Sequence, residues 1–180
     1  LINVPITINN TLSGANALNC ANIVFSSTVT LNASSGSFYF SVVGNSLQSL
    51  EFRGALNSNK AFSISGITGS LVKFTNATVD IDGTTEGMSV SCDAVIINTT
   101  FNDNTGFTGT TDFQSGIFNS RLDIGSSMSP SKVFTIRSSG AKSILGFTEI
   151  ASTVNWEAGL ITKNSATQII VDAGATFNVS

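Results

Sequence analysis

Three carboxylates stand where chemistry could be done: Asp80, Asp103 and Asp123. Cleaving a glycosidic bond takes two carboxyl groups, about 5 Å apart for retention or about 6.5–9.5 Å apart for inversion. Asp80 sits between Val79 and Ile81, and Asp123 between Leu122 and Ile124. This alternation sends each aspartate to the outer face of a strand. In the repeat described below, the two fall two coils apart in one outward column, roughly 9.6 Å at the usual spacing of parallel strands. Asp103 lies next to that column. The spacing suits an acid and base pair across a groove, and equally suits solvated aspartates on an outer surface. Catalysis further requires a cleft and a shifted proton affinity. Neither is written in the sequence, which supports a binding or structural role over an enzymatic one.

Other chemistries are narrowed by what is missing. The chain has no histidine and two cysteines, Cys20 and Cys92. That removes Ser-His-Asp triads, HExxH sites and zinc sites built on histidine or on four cysteines. No GxxxxGK[ST] motif occurs, so no cofactor is expected. Asp80, Asp82 and Glu86 offer oxygens around a glycine-rich turn (DIDGTTEG), but the segment lacks the length and terminal Glu of an EF-hand loop. It is expected to be an ordinary exposed turn. Arg121 lies two residues from Asp123, hence on a similar face. The two form a candidate surface ion pair, a contact typically worth about 0–1 kcal/mol.

The elements that must position these residues are short strands. Runs of four to seven alternating residues are broken by Gly, Asn and Ser, and helical periodicity is almost absent. An apolar anchor, a polar corner and a second apolar position recur along the chain. The anchors are Phe25, Phe52, Phe74, Ile97, Phe118 and Ile150; the second positions are Val29, Leu56, Val79, Phe101, Leu122 and Val154. A period of 20–25 residues signals a solenoid. The pattern predicts an all-β, right-handed, single-stranded parallel β-helix. Residues 1–180 would form one segment of a longer protein, with core repeats over about 20–160. Anchors and second positions would form two internal stacks, with Asn76, Asn98 and Asn119 as a corner ladder. Cys20 and Cys92 fall several coils apart, too far to bridge. The abundant Phe, 13 residues against one Trp and one Tyr, is expected to fill the core. Trp156 occupies an apolar strand position and is expected in the core or at a subunit interface. A β-sandwich is the structural alternative, opposed only by the repeat.

Composition fits an exposed, neutral surface. Charged residues are 11% of the chain, while Ser, Thr and Asn number 27, 21 and 18. With eight Lys and Arg and a net charge of -3, there is no basic footprint for nucleic acid. No apolar run approaches the length of a membrane-spanning helix.

The Phe-anchored coils, Asn corners, hydroxyl-rich faces and low charge resemble the β-helical sections of bacteriophage tail fibres and tailspikes. The resemblance is one of style over about residues 20 to 160. It implies a homotrimer attached to other virion tail proteins, located on a virion tail or extracellular surface. It also implies host surface polysaccharide or lipopolysaccharide as the target. Enzymatic tailspikes cleave such glycans with carboxylates, but no motif here accepts those residues, and Asp80, Asp103 and Asp123 rest on geometry alone. Bacterial adhesins and autotransporter passengers build similar helices and remain an alternative. Ice-binding solenoids need regular Thr columns, which the linear spacing of the threonines does not display.

Overall fold

The structure, a computed structural model, describes residues 1–10, 16–20, 22–34, 38–42, 49–66, 69–81, 87–125, 132–164 and 168–180. Its described strands fall into three parallel sheets of eight, and every third strand along the chain returns to the same sheet. Sheet 1 holds β1 (Ile6–Asn10), β4 (Val29–Ala33), β7 (Ala55–Ser58), β10 (Thr78–Ile81), β13 (Thr99–Phe101), β16 (Gly116–Phe118), β19 (Lys142–Ile144) and β22 (Ile161–Thr162). Sheet 2 holds β2 (Asn16–Cys20), β5 (Phe38–Val42), β8 (Phe62–Gly66), β11 (Gly87–Val90), β14 (Asn104–Phe107), β17 (Leu122–Ile124), β20 (Thr148–Ile150) and β23 (Ile169–Val171). Sheet 3 holds β3 (Ile23–Phe25), β6 (Ser49–Phe52), β9 (Leu71–Thr75), β12 (Asp93–Ile97), β15 (Thr111–Phe113), β18 (Val133–Ile136), β21 (Thr153–Trp156) and β24 (Thr176–Val179). This is a β-solenoid, three strands to a coil. Its parallel crossovers are consistent with the right-handed β-helix, the hand that parallel connections almost always adopt.

Alternation along the central strands buries one face, and stacking joins the buried faces into a column. Phe25, Phe52 and Phe74 stack along sheet 3, with ring centroids 5.4 and 5.7 Å apart. Phe101 and Phe118 stack along sheet 1 at 4.8 Å, and Phe101 meets Phe74 edge-on at 5.3 Å. The phenylalanines do fill the core.

The register rearranges both of the expected internal stacks. Phe74 pairs with Ile96, not Ile97, and the next residues in that column are Phe113 and Ile136. Phe118 follows Phe101 on sheet 1. Leu122 and Ile150 both lie on sheet 2, and Val154 lies on sheet 3. Val29, Leu56, Val79 and Phe101 do share one column, as expected. The cause is a short coil. The step from Asn76 to Asn98 is 22 residues, but from Asn102 to Asn119 it is 17. All three corners of a coil can carry an apolar pair four residues apart. Phe118 and Leu122 therefore flank a different corner from Phe25 and Val29.

The 17-residue coil has a consistent internal device. Thr99, Thr105 and Thr111 are the first inward residues near its three corners, and all are buried. Each hydroxyl donates back to the carbonyl two residues earlier: Ile97 at 3.0 Å, Asp103 at 3.0 Å and Gly109 at 3.3 Å. These bonds occupy carbonyl oxygens beside the corners, and Ile97 O also accepts the backbone N–H of Asn76 at 3.0 Å. In register with Thr99, two coils on, stands Lys142. Its buried Nζ donates to Ser138 O and Gly140 O at 2.8 and 2.9 Å, and burial lowers its proton affinity. Between them, Gly116 holds φ +143, and a Cβ there would lie 2.3 Å from Thr99 O, so only glycine fits.

Candidate functional site

Asp80 and Asp123 do not share a column. Asp80 is on sheet 1, exposed, and pairs in register with Asn57. Asp123 is on sheet 2, between Gly106 and Glu149. The two aspartates therefore face different sides of the solenoid. Asp103 lies in the corner between β13 and β14, where its Oδ2 accepts the backbone N–H of Ile81 at 2.7 Å. It ties one coil to the next. Asp82 and Glu86 of the glycine-rich turn lie outside the described residues. Among the described residues, no cluster of His, Cys, Asp and Glu could hold a metal ion.

What the structure does gather lies on sheet 2. Ser63, Ser89, Gly106, Asp123 and Glu149 follow one another in register along its outer face. Over the first four runs a groove of about 410 Å³, and it meets a second of about 310 Å³ at Asp123. The second is bordered by Arg121, Asp123, Glu149 and Asp172. Gly106 sets part of the depth. A Cβ built there meets nothing closer than 3.8 Å, so neither backbone nor packing demands glycine. The missing side chain simply leaves space between Ser89 and Asp123.

Arg121 organises the charged end. Its Nε donates to Asp123 Oδ1 at 2.7 Å and Oδ2 at 3.0 Å, and its Nη2 donates to Glu149 Oε2 at 2.5 Å. The expected Arg121–Asp123 pair is thus present, with Glu149 as a third member. The guanidinium also lies 5.2 Å from the Phe147 ring centroid, within cation–π range. The hydrogen bond that Arg121 donates to Asp123, followed by the charges of Asp123 and Glu149, raises the proton affinity of Arg121 further. Asp123 and Glu149 are register neighbours on adjacent strands, which pack about 4.8 Å apart. Yet the guanidinium bonds to both carboxylates at once, where a glycosidic oxygen would need to enter. The arrangement presents fixed charges and hydroxyls along the axis; it does not present a free acid and base.

Sequence reasoning missed Glu149 and Gly106. Glu149 was hidden because Ile150 was assigned to another sheet. Correct register brings it beside Asp123. Gly106 has no linear signal, since its role is only visible once its neighbours leave it unneeded.

The remaining expected features fall elsewhere. Asn98 Nδ2 donates to Asn76 Oδ1 at 2.8 Å, and both residues have positive φ, 47° and 53°. That ladder is real, but Asn119 belongs to another, donating to Asn102 Oδ1 at 2.8 Å. Cys92 is a buried free thiol; the side chain of Cys20 is outside the described residues. Trp156 packs against the core edge, 6.4 Å from Phe177, and donates from Nε1 to Gly159 O.

No family model, curated protein or solved structure matches the chain. The fold and its surface define the class: a β-solenoid scaffold of the kind used for binding and structural roles. No helix among the described residues is long and apolar enough to cross a membrane.

Proposed function

We propose that this chain is a rigid segment of a surface fibre, of the tail-fibre or tailspike type, which engages host polysaccharide or lipopolysaccharide without cleaving it. The observation that carries this reading is the groove on sheet 2, lined by both apolar and polar groups and running parallel to the solenoid axis from Ser63 to Glu149. Coils repeat at about 4.8 Å, close to the length of one pyranose ring in an extended chain, so each ring would meet one strand. Serine hydroxyls and carboxylates supply the hydrogen bonds that sugars need, and Gly106 supplies room for a ring. In this reading the segment works in a homotrimer joined to other tail proteins. A bacterial adhesin would use the same groove in the same way.

Calorimetric titration with purified lipopolysaccharide and capsular polysaccharides tests the proposal. Gly106→Val fills the groove at a position that accepts a Cβ, so it should weaken binding at least tenfold and leave the melting temperature nearly unchanged. The polysaccharide should elute at its original size after incubation. Absence of binding, or binding indifferent to Gly106→Val, refutes the groove reading. Shortened product that disappears in Glu149→Gln would make the chain a depolymerase instead.

A further inference from the structure

Sheet 1 has a different outer surface from its neighbours. Its outward column runs Ala55, Thr78, Thr100, Ile117, Ser143 and Thr162, one residue per coil. Thr78 and Thr100, far apart in the linear sequence, are thus aligned with Thr162. Among the outward positions of the sheet 1 strands, only Asp80 is charged, and no side chain is longer than isoleucine. Sheet 3 carries Glu51, Lys73, Asp93 and Asp112 at the corresponding outward positions. Sheet 2 carries Asp123, Glu149 and the Arg121 cluster. Ile117 is exposed in the middle of the stack, whereas the other exposed large apolar residues lie toward its two ends.

We infer that the outer face of sheet 1 is the surface through which copies of this chain pack side by side. Interface cores are depleted of charge, because an ion buried without a partner is costly. A nearly neutral face turned toward a shared axis meets the faces of its copies without stripping water from ions and without like-charge repulsion. The charged faces of sheets 2 and 3 would have to do both. Ile117, surrounded by small polar groups, supplies an apolar centre of the kind such patches have. Eight strands make the face about 34 Å tall and about 13 Å wide. That footprint, about 440 Å² per copy, is smaller than a standard stable interface, so the contact should be weak and depend on concentration. The inference rests on the homo-oligomer reading above and is independent of the polysaccharide groove on sheet 2.

Sedimentation equilibrium of the 180-residue chain, from micromolar to millimolar, provides the test. The expected result is a mass that rises with concentration to a closed oligomer. Thr100→Arg and Ile117→Arg should each weaken association at least tenfold, and Ser89→Arg on sheet 2 and Thr135→Arg on sheet 3 should not. Circular dichroism melts confirm that each variant is folded; Thr78→Arg, fully outward on the same column, replaces either one that is not. A chain that stays monomeric throughout overturns the inference, as does association lost through Ser89 or Thr135 alone. A monomer that inhibits ice growth, and loses this in Thr100→Arg, would give the face to ordered water instead. Titration of Thr100→Arg and Ile117→Arg with polysaccharide keeps the two readings separate: both should bind as the parent does.

Discussion

At the scale of single residues, the buried thiol of Cys92 gives a clear thermodynamic signature. Burial pushes its pKa from 9.0 up to about 11, since the thiolate loses hydration in the core. The folded state therefore holds its proton more tightly than the unfolded chain. Stability from this term is complete below pH 9 and is lost as the pH rises through 11. A shift of this size corresponds to about 2–3 kcal/mol. Urea melts at pH 8 and pH 11 should show a fall of that order in the parent, and a smaller one in Cys92→Ala. Lys142 acts with the opposite sign. Its pKa is lowered by burial, so the folded state favours the neutral amine, and stability rises with pH between that lowered value and 10.5. Comparing Cys92→Ala with the parent isolates the thiol's contribution, since Lys142 is common to both. An equal alkaline loss in parent and Cys92→Ala would mean that the thiol is hydrated in the folded chain.

At the scale of elements, the decisive feature is corner length. In the 17-residue coil one residue, Asn98, joins β12 to β13 in the left-handed conformation. Its amide joins Asn76, and Thr99 beside it bonds the carbonyl of Ile97. Inserting Gly-Ser between Asn98 and Thr99 should break both bonds and displace Phe101, at a loss of about 3 kcal/mol or more in urea melts. The same insertion between Gly159 and Leu160, in an exposed four-residue corner, should cost about 1 kcal/mol or less. Equal losses would show that corners do not set the register. The same feature explains what was legible beforehand. Phe25, Phe52 and Phe74 were readable as a stack because their coils keep a similar apolar spacing. Beyond Phe74 the corner gains a residue and the next coil shortens, so Ile97 replaces Ile96 and Phe118 is assigned to the wrong sheet. Linear spacing records how far apart two apolar residues are, not which corner separates them. That error moved Asp123 from sheet 2 onto the face of Asp80, and concealed its neighbour Glu149. The Arg121–Asp123 pair was readable because it is local, two residues on one strand face.

At the scale of the whole molecule, a solenoid is coupled mainly between adjacent coils, so its stability is nearly one-dimensional. A central coil is covered above and below; an outer coil of this chain is covered on one side. The consequence is visible in burial. Phe74, Ile96 and Phe113 are fully buried, whereas Ile169 and Val171 of β23 are 42% and 44% exposed and Val179 of β24 is 67% exposed. Opening the last coil therefore breaks one inter-coil interface, and opening a middle coil breaks two. Amide exchange reads this difference directly, because each amide exchanges through the least costly opening that frees it. Amides of β9 through β17 should approach the protection of global unfolding, and those of β22 through β24 should exchange orders of magnitude faster. Packing of copies through sheet 1 should slow exchange chiefly on that sheet at high concentration, leaving sheet 2 at its monomer rates. Uniform protection from β9 to β24 would show instead that the coils unfold as one unit, with the exposed end held by the same cooperativity as the phenylalanine stack.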